Sequence, residues 1–88
     1  MTWTREAVHS ELMKVFEQHA ANSVTLTDGS HLVADLGIDS LGVMEVIGDL
    51  EDVFKLTISD DALREIGTIG DVMKAVEARL HVDGRLRE

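Results

Sequence analysis

The sequence predicts an all-α fold, an irregular four-helix bundle with three longer helices and a short third helix. Three observations point there. Apolar residues recur at helical spacing in four segments, proline is absent, and each segment opens behind a Ser, Thr or Asp able to cap it. Proline inside a helix removes a hydrogen bond and clashes with the preceding turn, so none of the four segments carries that interruption.

The first helix is predicted over about 5–19. Thr4 caps it, Trp3 and Val8 occupy the two positions of a hydrophobic staple, and Val8, Leu12, Val15 and Phe16 share one face. A long polar connection follows over 21–39, with Asn22, Ser23, Thr25, Thr27, Asp28, Gly29 and Ser30 as turn formers. Leu26, Leu32, Val33 and Leu36 within it predict packing against the core, and a loop of this length points to function. The second helix covers about 40–54 and is opened by Asp39 or Ser40.

Ser59 caps the short third helix, 60–65, whose Asp60 and Asp61 suit the positive end of a helix dipole. Ile58 and Leu63 make a second staple. The last helix covers 69–80 behind Thr68, with Ile69, Val72, Met73, Val76 and Leu80 on one side. The tail, 81–88, is polar and expected to fray.

At 88 residues the chain is expected to be one domain, able to bury roughly 60–65% of its unfolded surface. Cysteine is absent, so no disulfide and no thiolate metal site can assist. Stability must come from an apolar core, and a hydrophobic content of 44% supports one. With only Trp3, Phe16 and Phe54 as aromatic rings, that core is mostly aliphatic. The first residues lack the basic start and apolar run of a signal peptide, and no stretch approaches a membrane span. The expectation is a soluble, cytoplasmic monomer.

A formal charge of −9 argues against nucleic acid and anionic lipid as partners, since phosphates would be repelled. Basic protein surfaces would be attracted. The acids are also unevenly placed. Glu17, Asp28, Asp35, Asp39, Glu45, Asp49, Glu51 and Asp52 lie between Val15 and Phe54, where there is no Lys or Arg.

The second helix has two distinct sides. At 100° per residue, Val43, Val46, Ile47, Leu50, Val53 and Phe54 fall together and form its core side. Leu41, Met44, Glu45, Gly48, Asp49 and Asp52 fall opposite. Apolar residues beside carboxylates there read either as a docking surface, with a patch to bind and charges to orient, or as side chains tucked under the long loop.

Ser40 stands where that loop meets the helix, and three readings are open. It can be a plain N-cap. It can be a hydrolase nucleophile, although the first glycine in Gly37-Ile38-Asp39-Ser40-Leu41-Gly42 stands one residue too far away for a nucleophile elbow. No base is forced near it either, since His9, His19, His31 and His81 are scattered. The third reading is covalent attachment of a cofactor.

The segment Asp35-Leu36-Gly37-Ile38-Asp39-Ser40-Leu41, followed by Glu45, resembles the D-L-G-x-D-S-L-x-x-x-E pattern of acyl carrier proteins. The likeness continues through Leu50-Glu51-Asp52-Val53-Phe54 and Ile58-Ser59-Asp60-Asp61 to Thr68-Ile69-Gly70-Asp71-Val72, covering about 26–80. The resemblance implies that a phosphopantetheinyl transferase, with magnesium, attaches 4′-phosphopantetheine from coenzyme A to Ser40. Asp39 supports that complex. The arm's thiol then carries acyl groups as thioesters, and the protein is a carrier, not an enzyme. Leu41, Met44, Glu45, Asp49 and Asp52 match the recognition helix. It meets basic patches on acyltransferases, ketosynthases and other acyl-processing enzymes.

Whether the acyl chain enters a slot lined by Val43, Ile47, Leu50, Ile58, Leu63 and Val72, or these are ordinary core, the residues leave open. Gly42 departs from the family pattern, and Gly48 adds a second helix-interior glycine. These features, with Trp3 and Arg85-Leu86-Arg87 outside the pattern, favour a carrier for polyketide or specialised acyl biosynthesis. The alternatives are housekeeping fatty acid synthesis and an adapter of the same fold that is never loaded. A peptidyl carrier fits less well, because those read G-G-[HD]-S.

Overall fold

The computed structural model describes residues 2–20 and 25–87. Asn22 and Ser23, expected in the turn-forming stretch, and Glu88 lie outside them. The element order is β1 (Trp3–Thr4), α1 (Arg5–His19), α2 (Ser40–Phe54), α3 (Asp60–Arg64), α4 (Ile69–Val82) and β2 (Leu86–Arg87). Each helix starts where a short polar side chain can satisfy a first-turn N–H. Thr4 accepts from Ala7, Asp39 from Gly42, Ser59 from Ala62 and Thr68 from Asp71. None of the described helices is long and apolar enough to cross a membrane.

The helices close on one aliphatic core. Val8, Leu12 and Phe16 of α1, Leu50 and Phe54 of α2, and Ile69, Val72, Val76 and Leu80 of α4 are fully buried. Both staples join this cluster: Trp3 and Leu63 pack against it, and Val8 and Ile58 lie within it. The slot candidates are part of the same packing, with Ile47, Leu50, Ile58 and Val72 buried and Val43 and Leu63 partly so. α3 is one residue shorter than expected because Glu65 is its C-cap.

The long connection is anchored at its described part. The Gly70 N–H donates to the Asp28 carbonyl at 2.8 Å, Ile69 to Ser30 at 3.0 Å and Leu32 to Gly67 at 3.0 Å. The loop thereby covers the start of α4: Leu32, Leu36 and Ile38 enter the core and Leu26 packs against it, whereas Val33, expected there, is exposed. A Cβ at Gly70 would stand 2.9 Å from the Asp28 carbonyl oxygen, a backbone atom that cannot rotate away. Gly70→Ala is therefore expected to destabilise the fold by about 1–3 kcal/mol, outweighing the ~1 kcal/mol that alanine gains in a helix. Urea denaturation checks the sign.

Beside this contact, Asp71 and Thr68 form a capping box. The Asp71 carboxylate accepts the backbone N–H groups of Gly67 and Thr68, both at 3.0 Å. Those bonds hold its pKa below the ordinary carboxylate value. A lowered folded pKa means that the unfolded chain binds the proton more readily. Its stabilising contribution is present above the unfolded pKa of about 3.9 and disappears as pH falls through the lower folded value. Asp71→Asn should lose stability at neutral pH and show a shallower decline on acidification, measured by denaturant midpoints across that range.

The described part of the polar tail, 81–87, forms regular structure where its composition suggests fraying. Residues 81 and 82 extend α4, and Gly84, at φ 69°, turns the chain back. Leu86–Arg87 then pairs in parallel with Trp3–Thr4. The Arg85 guanidinium donates to the Lys55 carbonyl at 2.8 Å and to the Phe54 carbonyl. Those carbonyls end α2 and have no partner further along the helix, so a cation suits them. The tail's polarity belongs to a cap on a distant helix.

Candidate functional site

The loop-to-helix junction is built residue by residue from the D-L-G-x-D-S-L segment. Asp35 Oδ2 accepts the His31 N–H at 2.7 Å and closes a helical turn. Leu36 is fully buried and anchors that turn. Gly37 ends it at φ 73°, a left-handed conformation that side chains with a Cβ disfavour. Ile38 is buried, and its amide donates to the Leu32 carbonyl at 3.0 Å. Asp39 takes the N-cap position, its Oδ1 accepting the Gly42 N–H at 2.7 Å.

Ser40 is the first residue of α2 and not its cap. Its side chain is exposed, and its hydroxyl forms no hydrogen bond with any described residue. The backbone N–H groups of Ser40 and Leu41 are equally without a partner among the described residues. Two outward N–H groups and the helix dipole make this end of α2 suited to a phosphate ester on the adjacent hydroxyl.

The histidines do not serve Ser40. His9 Nε2 lies 3.0 Å from Asp28 and His19 Nε2 lies 2.7 Å from Asp49. His31 pairs through its backbone with Thr68, and His81 is exposed on α4. A hydrolytic nucleophile needs a base within hydrogen-bond reach, and Ser40 has none among the described residues.

The outer side of α2 is exposed, which decides between the two readings open for it. Leu41 is 69% and Met44 56% exposed, so neither is tucked under the loop. Glu45, Asp49 and Asp52 are exposed beside them. A shallow groove lined by His19, Ile38, Asp39, Leu41 and Glu45 runs along the junction. His19 is the residue that the sequence does not bring to this site. Thirty positions separate it from Asp49, and no spacing rule connects the end of one helix to the middle of the next.

The chain is similar to known proteins. The profile of the family described as "phosphopantetheine attachment site" matches residues 8–76, which include Ser40. An acyl carrier protein from Exiguobacterium sp. is 35% identical over 88% of this chain and 99% of its own length. One from Wolinella succinogenes is 40% identical over 72% of this chain and 83% of its own length. A solved structure from Mycobacterium tuberculosis, described as an acyl carrier protein, superposes with a TM-score of 0.65 at 32% identity. It covers 84% of this chain and 95% of its own.

Proposed function

We propose, for a chain that belongs to the acyl carrier protein family, that Ser40 is the attachment point of the family's cofactor, 4′-phosphopantetheine. Members of this family are carriers and not enzymes, and so is this chain. The bound arm supplies a terminal thiol that holds acyl groups as thioesters, a function that a chain without cysteine lacks. Ser40 would hold the phosphodiester, the N–H groups of Ser40 and Leu41 would face its oxygens, and Asp39 would keep the helix start in place.

One observation carries this reading. Asp39 caps α2, which leaves the Ser40 hydroxyl exposed and unbonded among the described residues. Had the serine been the cap, its oxygen would have been engaged and the plain structural reading would have sufficed.

Leu41, Met44, Glu45, Asp49 and Asp52 form the surface that meets the phosphopantetheinyl transferase and acyl-processing enzymes such as acyltransferases and ketosynthases. These contacts are weak and salt-sensitive, because a carrier must leave each partner quickly. Glu45→Lys is expected to raise the carrier's KM several-fold in transfer assays, with an unchanged melting temperature and a smaller effect in high salt. Equal kinetics for both proteins at every salt concentration would remove Glu45 from the docking surface. Asp49 is a less clean site for this test, since its carboxylate also faces His19.

The pathway reading is polyketide or specialised acyl biosynthesis in the cytoplasm, with the chain acting as a single monomeric domain. Its support is Gly48 in the outer side of α2, with Trp3 and Arg85-Leu86-Arg87 outside the family pattern, since Gly42 has an internal steric reason. The test of the central reading is intact mass after incubation with coenzyme A, magnesium and a broad-specificity transferase. A wild-type chain that gains no phosphopantetheine overturns it, as does peptide mapping of the group to another residue.

A further inference from the structure

The groove beside Ser40, about 260 Å³, is walled by Asp39 and Leu41, the residues on either side of the serine, together with Ile38, Gly42, Glu45 and His19. Ile38 is buried, and Leu41 supplies an exposed apolar rim. A Cβ at Gly42 would stand 2.7 Å from Cγ2 of Ile38, so glycine lets α2 lie close against that side chain.

His19 is the wall residue that comes from α1. It ends that helix, and its Nε2 lies 2.7 Å from the Asp49 carboxylate of α2. A carboxylate on Nε2 keeps the proton on that nitrogen, which leaves Nδ1 of the neutral ring as an acceptor. Nδ1 has no partner among the described residues, and it is not buried. The Glu45 carboxylate is exposed and equally without a partner among them. Asp39 adds a third acceptor, with only Oδ1 engaged. The groove therefore combines an apolar rim with unfilled hydrogen-bond acceptors.

We propose that this groove holds the uncharged, phosphate-proximal stretch of the 4′-phosphopantetheine arm while no partner enzyme is docked. The proposal rests on the carrier reading and deepens it. The lining matches the chemistry of that stretch. Leu41 and Ile38 suit its two geminal methyl groups. Nδ1 of His19 and the Glu45 and Asp39 carboxylates suit its hydroxyl and amide N–H groups, which are donors. The same carboxylates repel an anionic occupant and leave a neutral one unpenalised. Glu45 stands about 7.5 Å from Ser40 along the helix, within reach of the arm's first amide. Weak contacts suffice, because a group on a short flexible tether is present at about millimolar effective concentration. Leu41 and Glu45 also belong to the proposed docking surface, so an arriving enzyme takes over part of the groove's wall and frees the arm.

The test is isotope-filtered NMR on the full chain, labelled with ¹³C and ¹⁵N and loaded with an unlabelled arm from coenzyme A. Nuclear Overhauser effects are expected from the arm's geminal methyl groups to the Leu41 methyls and the His19 ring protons. Amide shifts between the unloaded and loaded chain should extend beyond the attachment point to His19, Gly42 and Glu45. In His19→Ala the effects at Leu41 should weaken severalfold, and in His19→Gln, whose amide oxygen can accept, they should partly return.

A loaded wild-type chain whose shifts change only at 39–41, with no arm contacts to Leu41 or His19, overturns the groove and leaves the carrier reading standing. Arm contacts to Ile58 or Leu63 instead place the arm on the α3 side and overturn it equally. Contacts at Leu41 that are unaltered in His19→Ala remove His19 from the site. A wild-type chain that gains no phosphopantetheine removes the carrier reading, and the groove's occupant with it.

Discussion

Replacing Ser40 by alanine is expected to abolish phosphopantetheine loading while leaving the unfolding midpoint within experimental scatter. The hydroxyl touches no described hydrogen-bonding group, and the side chain is exposed, so its loss opens no cavity and orphans no buried donor. Alanine is also a better helix former than serine at a helical position. Asp39→Ala provides the opposite pattern. It removes the acceptor for the Gly42 N–H and should cost about 1 kcal/mol, yet the nucleophilic oxygen remains and slow loading should still appear in the intact mass. A clearly destabilised Ser40→Ala would mean that the hydroxyl has a structural duty. Loading that survives in Ser40→Ala would place the cofactor elsewhere.

Phe54→Ala is expected to cost about 3–5 kcal/mol, a large part of the roughly 5–15 kcal/mol that small domains possess. Its ring is fully buried at the end of α2 and meets Trp3 edge-on, with centroids 4.6 Å apart at 64°. Its carbonyl accepts from Arg85, so the same residue joins Trp3, the end of α2 and the tail. Trp3 is the only tryptophan, and its fluorescence reports this junction directly. Urea titration followed by that signal should show a much lower midpoint. A loss below ~1 kcal/mol would indicate that the core collapses into the vacated space and that the junction is not a principal support.

Much of the junction around Ser40 can be read from local pattern. Thr4, Asp39, Ser59 and Thr68 stand one residue before apolar-periodic runs, and a short side chain there can reach only its own first turn. The same periodicity puts Leu41 and Met44 opposite the core side formed by Val46, Ile47 and Leu50, and the structure shows that the loop leaves them exposed. Asp39 and Ser40 are harder to separate, because both are good caps and adjacent residues offer the same local signal. The geometry decides it, since only the Asp39 carboxylate reaches the Gly42 amide.

The roles that local pattern does not convey all involve partners distant along the chain. His19 meets Asp49, Gly70 supports Asp28, and Arg85 caps the end of α2. Hydrophobic period and capping chemistry act within a turn or two, so they specify the helices and their core sides without any knowledge of the packing. Which polar tail residue finds which orphan carbonyl, and which glycine lies under a foreign backbone, depends on how the finished helices lean together. That arrangement follows from the summed burial of many side chains, and no single stretch of residues encodes it.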